Sequence, residues 1–120
     1  MRRLLLVLLF AVPVGAKPAG RKVRLVTTAY CLGPCRRCGT SGITKLGSRS
    51  MRGVAVGSKR RAIALGSTVT IPGYGRGRVD DVGGGVRGNQ LDLRFRSHSR
   101  AEKWGRKVIE VTIQNRPKKK

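Results

Sequence analysis

Five acidic residues are all that this 120-residue chain offers for carboxylate chemistry, and three of them bracket one glycine-rich segment. Asp80 and Asp81 precede it and Asp92 follows, in Asp-Val-Gly-Gly-Gly-Val-Arg-Gly-Asn-Gln-Leu-Asp from 81 to 92. A loop that returns on itself brings Asp81 and Asp92 together. Two neighbouring carboxylates push one pKa up, as a general acid near neutral pH requires. Gly83, Gly85 and Gly88 satisfy the dinucleotide pattern G-x-G-x-x-G. That pattern needs a helix opening on its third glycine, whereas Gln90 to Phe95 alternates Leu91, Leu93 and Phe95 with polar residues, as a strand does. No Lys-Ser or Lys-Thr follows, so a phosphate-binding P-loop is excluded as well. The glycines then serve either a tight crossover inside the fold or a bare backbone wall for a polymer. Asp92 shares its strand face with Arg94, and a surface ion pair would be its simplest use.

Cys31, Cys35 and Cys38 form a second chemical cluster, spaced C-x-x-x-C-x-x-C. In an exported chain one disulfide within the loop is expected, with its pairing open and one thiol left over. His98, the only histidine, is the available fourth ligand of a three-cysteine, one-histidine zinc site. The spacing lacks the paired knuckles of familiar zinc sites, so no metal is expected.

The elements that must position these groups are short. Lys22 to Tyr30, Val54 to Val56, Ser67 to Ile71, Arg76 to Asp81, Gln90 to Phe95 and Lys107 to Ile113 read as strands, on β-branched content and alternation. Residues 31–53 have loop chemistry and no period, and Pro72-Gly73 is a turn signal. One helix signal occurs, a capping box at Ser99-Arg100-Ala101-Glu102 with Gly105 at the C-terminal cap. Six short strands and one short helix predict an all-β fold, a small barrel.

Met1-Arg2-Arg3, the apolar run Leu4 to Val12, and small residues up to Ala16 predict a cleaved signal peptide. The run is far short of the ~20 residues of a spanning helix. The expected organisation is a signal peptide at 1–16, a flexible leader at 17–22, a barrel domain at 23–113 and a basic tail at 114–120. With 27 Lys and Arg against five acids the chain carries +22, which favours anionic partners. Its few aromatics (Phe10, Tyr30, Tyr74, Phe95 and Trp104) make a poor stacking platform, so no nucleic acid is expected. Outside the cytoplasm, secreted or periplasmic, the natural counterpart is an anionic cell-wall polymer.

Val26 to Cys31 (VTTAYC), Gly42-Ile43-Thr44, Val54-Ala55-Val56, Ile63 to Gly66 and Ile71 to Gly75 occur in order. They are followed by Asp81-x-Gly83-Gly84-x-x-Arg87-Gly88-x-x-x-Asp92, Ser97-His98 and Trp104-Gly105-Arg106. Over about residues 23–113 this resembles the Asp-Asp-Asp (3D) domain family, similar to the catalytic barrel of membrane-bound lytic transglycosylase A. The resemblance implies a six-stranded double-psi β-barrel with one short helix. It also implies cleavage of the MurNAc–GlcNAc β-1,4 bond without water, the sugar's 6-hydroxyl closing on C1 to leave a 1,6-anhydro end. Asp92 would be the single acid and base, supported by Asp81. Tyr30, Thr44, Gly83, Gly84, Arg87, Gly88, Asn89 and His98 would bind substrate. No cofactor is implied, and the partners would be peptidoglycan strands and teichoic or other anionic wall polymers, met by a monomer. The alternative is a non-catalytic barrel that holds anionic wall glycan. The family is named for three aspartates, the first usually just after the Val-Ala-Val strand; here Gly57-Ser58-Lys59-Arg60-Arg61 follows, and Ser41 stands where many relatives have an acid. Lys59, Arg60, Arg61, Arg78, Arg87, Arg94 and Arg96 are expected near the cleft rim, where their charge would lower the Asp92 pKa.

Overall fold

A computed structural model describes residues 20–58, 61 and 63–114. The expected signal peptide, the basic tail from 115 onward, and Lys59 and Arg60 lie outside the described residues. Every expected strand forms: β1 (Arg21–Cys31), β2 (Val54–Gly57), β3 (Thr68–Ile71), β4 (Gly75–Gly83), β5 (Gln90–Phe95) and, after helix α1 (His98–Trp104), β6 (Lys107–Gln114). They close into a six-stranded barrel in the order β1-β5-β2-β4-β3-β6. Two of its six pairings are parallel, β1 with β5 and β2 with β4, and the other four are antiparallel.

Closure explains the strand patterns. β2 is buried at all four residues, with Val54 and Val56 in the barrel core and Ala55 at the floor of the cleft, and a strand covered on both faces reads as a continuous apolar run. Val54, Val56, Val69, Val79, Leu91, Leu93 and Val111 fill the interior with no exposed surface. Burying each such side chain contributes about 1.5–3 kcal/mol. The β2 register sets up the chemistry, since Ala55 pairs with Asp81 on β4 and with Asp92 on β5.

Tyr74, Phe95 and Trp104 pack together, with ring centroids 5.3 Å apart for Tyr74–Phe95 and 5.9 Å for Phe95–Trp104. The Trp104 indole N–H donates to Thr27 Oγ1 at 3.1 Å, and Thr27 donates to the Lys107 carbonyl at 3.0 Å. The helix therefore docks on β1 and β5 through a satisfied polar pair inside an apolar contact.

The helix begins earlier than its capping box suggested. Ser97, in extended conformation, is the N-cap and accepts from the Arg100 N–H, whereas Ser99 lies within the first turn. Glu102 does not close a box; its carboxylate meets the His98 ring one turn back, at 2.9 Å. Gly105 caps the C-terminus as expected, at φ 67°, donating to the Ala101 carbonyl.

Candidate functional site

A cleft of about 700 Å³ opens where β1, β4 and β5 meet the loop after β1. Asp81 and Asp92 line it from either side of Ala55. One strand between them sets their backbones about 10 Å apart, and the small Ala55 side chain leaves the space between the carboxyls open. The glycine return thus brings together the two acids that the sequence paired.

Their environments differ. Asp81 is buried and fully engaged: it accepts from the Tyr30 hydroxyl at 2.9 Å, the Lys45 N–H at 2.8 Å and its neighbour Val82 N–H at 2.9 Å. It ties the loop to the barrel and suits an orienting role. Asp92 is half-buried and accepts the Thr28 hydroxyl at 3.0 Å on Oδ1. Burial pushes its carboxyl up to about 6; the Thr28 hydrogen bond pulls the other way, and the Asp81 charge adds to the rise. Gln90 donates to Thr28 at 3.0 Å, so the hydroxyl is aimed at Asp92 by a second side chain. Thr28 and Gln90 were missed from the sequence; the parallel β1–β5 register, which sets Thr28 opposite Asp92, is what reveals them.

Within the described residues the expected arginine field does not surround Asp92. Among the described residues Lys45 is the one basic residue lining the cleft. Arg94 is not on the rim and does not pair with Asp92. Its guanidinium is fully buried, forks onto Asp80, and donates to the Tyr30 hydroxyl at 3.0 Å and the Ser50 carbonyl at 2.9 Å. Asp80 neutralises it, and the pair holds the far end of the loop. Burial raises the Tyr30 phenol, so that side chain stays neutral while it accepts from Arg94 and donates to Asp81. Arg94, Arg96 and Arg52 instead line a separate groove of about 630 Å³ over Tyr74, Phe95 and Trp104.

The glycine loop is not a tight crossover. Gly83, Gly84, Gly85 and Gly88 all avoid positive φ. A Cβ at Gly84 or Gly85 would meet no atom within 4 Å, although one at Gly83 would press on Val86 at 2.9 Å. Gly83, Gly84 and Gly85 leave a bare backbone wall along the cleft. Tyr30 and Thr44 also line it, Thr44 using its hydroxyl to accept from the Ser48 N–H at 2.9 Å within its own turn. Arg87, Gly88 and Asn89 form the turn that feeds β5, where the Gln90 N–H meets the Arg87 carbonyl at 3.0 Å. They are not brought into the cleft wall.

His98 is placed elsewhere, among the cysteines. The three thiols are free, so the expected disulfide is not formed. The sulfurs of Cys31, Cys35 and Cys38 and a ring nitrogen of His98 all lie within 4.8 Å of one another. The ligand set that the spacing disfavoured is assembled, because the fold supplies the fourth member from α1.

A family model described as the 3D domain matches residues 53–115. The chain is 31% identical over 100 residues to the cell wall-binding protein YocH of Bacillus subtilis (strain 168), covering 81% of this chain and 34% of that protein. It is also 31% identical over 99 residues to YabE of the same strain, named for cell wall shaping, covering 80% of this chain and 24% of that one. The chain thus spans about a third and a quarter of the lengths of these curated relatives. Among solved structures, a crystal structure of a mutant Clavibacter michiganensis expansin in complex with cellohexaose aligns with a TM-score of 0.51 at 23% identity, covering 83% of this chain and 54% of that one. At that identity the likeness concerns the fold, which is the double-psi β-barrel.

Proposed function

The chain belongs to the 3D-domain family, and from that premise we propose that its Asp81–Asp92 cleft cleaves peptidoglycan strands as an exported lytic transglycosylase. The observation that carries this reading is Asp92 itself: a half-buried carboxyl titrating near 6, beside a second carboxyl and a bare glycine wall. In its protonated form Asp92 gives its proton to the leaving glycosidic oxygen as the C1–O bond breaks. The resulting carboxylate then takes the proton of the sugar's own 6-hydroxyl as that oxygen closes on C1. The proton count balances, water is not consumed, and a 1,6-anhydro end remains. Asp81, held by Tyr30 and the Lys45 N–H, keeps the loop wall in place and its charge favours the protonated form of Asp92.

A second reading, a wall-binding barrel without catalysis, is favoured by one observation. Ala55 stands between the two carboxyls, and the sequence directly after β2, Ser58-Lys59-Arg60-Arg61, carries no acid. Incubation of the protein with purified sacculi separates the two. The transglycosylase reading expects anhydro-muropeptides by mass spectrometry from the wild type and a loss of at least about 100-fold in Asp92→Asn, the usual scale for a general acid. Sedimentation with sacculi and no anhydro product from either form would hand the cleft to the binding reading.

A further inference from the structure

The cleft chemistry leaves the cysteine–histidine cluster unused. Cys31 ends β1, Cys35 and Cys38 sit in the following loop, and His98 opens α1. Cys31 Sγ and Cys38 Sγ are 3.5 Å apart, and His98 Nδ1 lies 3.2 Å from Cys38 Sγ and 3.7 Å from Cys35 Sγ. Around a tetrahedral zinc ion, with Zn–S near 2.3 Å and Zn–N near 2.0–2.1 Å, two sulfurs stand about 3.7 Å apart and a sulfur and nitrogen about 3.5 Å. These three separations lie within about 0.3 Å of those values, and all four ligand atoms lie within 4.8 Å of one another. A disulfide instead requires sulfurs about 2.05 Å apart, and would leave the third thiol and the imidazole without a use.

Independent features of the surroundings point the same way. His98 Nε2 lies 2.9 Å from Glu102 Oε1, and a carboxylate can only accept there. The ring proton is therefore on Nε2, and the Nδ1 lone pair faces the sulfurs, in the carboxylate–histidine–metal arrangement. The Cys35 and Thr40 backbones bond each other in both directions at 3.0 Å, closing Cys35-Arg36-Arg37-Cys38 into a tight turn. Gly39 completes it at φ 67°, a left-handed conformation that suits glycine. The Cys31 N–H points at Cys38 Sγ, 3.4 Å away, a donor well placed for a thiolate.

We propose that Cys31, Cys35, Cys38 and His98 bind one zinc ion as a closed structural site. Four protein ligands complete the tetrahedron, so no position is open for substrate or catalytic water. Binding displaces the thiol protons into solvent and is tighter at higher pH. The ion ties the end of β1 and the start of α1 to the loop whose next residues, Gly39 to Lys45, form one wall of the carboxylate cleft. This assignment stands whether that cleft cleaves glycan or only holds it.

The test uses the full chain, purified with its native metal. Elemental analysis is expected to find one zinc per chain, and reduced, metal-free protein is expected to take up Co²⁺ with an intense tetrahedral visible band and a thiolate charge-transfer band in the near ultraviolet. Cys35→Ser and His98→Ala are expected to abolish or shift those bands. Glu102→Gln changes an exposed side chain that touches no sulfur, and should keep the bands while weakening zinc affinity about 10–100-fold. Circular dichroism checks that each variant folds. Purified protein with a Cys31–Cys38 disulfide and no zinc would overturn the proposal. So would cobalt spectra in folded protein that lack the tetrahedral band or ignore the Cys35 and His98 substitutions.

Discussion

The Asp92 carboxyl reaches about 6 because burial penalises its charge, an effect that the Thr28 hydrogen bond only partly offsets. In the unfolded chain the same group titrates near 3.8. Between those values the folded protein holds a proton that the unfolded chain has released. The stability this group supplies is therefore complete below about pH 4 and is lost as pH rises through about 6. Asp92→Asn keeps an acceptor for Thr28 and never ionises. In urea unfolding it should exceed the wild type by about 1–3 kcal/mol near pH 7.5 and lose that advantage near pH 4. Equal stability of the two proteins at both pH values would show that Asp92 is not desolvated. On the transglycosylase reading the same variant is inactive on sacculi, so stability and activity move in opposite directions, as expected where a desolvated ionisable group is kept for chemistry. Asp80 carries the contrasting lesson. Its carboxylate is matched by the buried Arg94 fork, and such a pair fixes a geometry more than it adds net stability.

At the scale of elements, helix α1 separates two accounts of its own start. A capping box at Ser99 and Glu102 makes Ser99 essential, whereas the observed cap is Ser97, whose hydroxyl accepts the Arg100 N–H at 3.3 Å. Ser97→Ala should cost about 0.5–2 kcal/mol and Ser99→Ala close to nothing, measured by thermal or urea unfolding. The reverse order would restore the box. The misreading has a physical origin: Glu102 has the spacing of a box partner, yet the His98 ring, one turn earlier on the same face, reaches it first. The strands were legible for the opposite reason, since alternation and β-branching are local and closure of the barrel agrees with them. Val54 to Val56 even announces a strand covered on both sides. The Asp81–Asp92 pairing was legible because a short return between two strands leaves the residues at its two ends close in space. The roles of Thr28, Gln90 and Arg94 depend on register between strands far apart in sequence, which no local pattern encodes. The cysteine–histidine set was named from its residue types and set aside on its spacing; what no local pattern encodes is that α1 carries His98, 60 residues from Cys38, into reach of all three sulfurs.

For the whole molecule the question is what +22 does once the acids are accounted for. Asp80 is committed to Arg94, Asp81 to Tyr30 and the loop backbone, and Glu102 to His98 and Arg37. Little internal charge is left to neutralise the Lys and Arg side chains. Arg52, Arg96, Arg100 and Lys103 gather around the groove over the aromatic cluster, which has no acid in its lining among the described residues. The cleft with the carboxylates is lined by Lys45 alone among the basic residues described. For the proposed cell-wall partner two modes of contact follow, a diffuse electrostatic one over the basic surface and a short-range one in the cleft. They should part company in salt, because the screening length falls from about 10 Å at 0.1 M to about 4 Å near 0.5 M. Sedimentation with intact walls should fall at least about tenfold across that range. Sedimentation with walls stripped of phosphate polymers should start weaker and change less. Binding equal on both walls and indifferent to salt would mean that the cleft, with its uncharged hydrogen-bonding wall, supplies the affinity and that the net charge serves something other than retention.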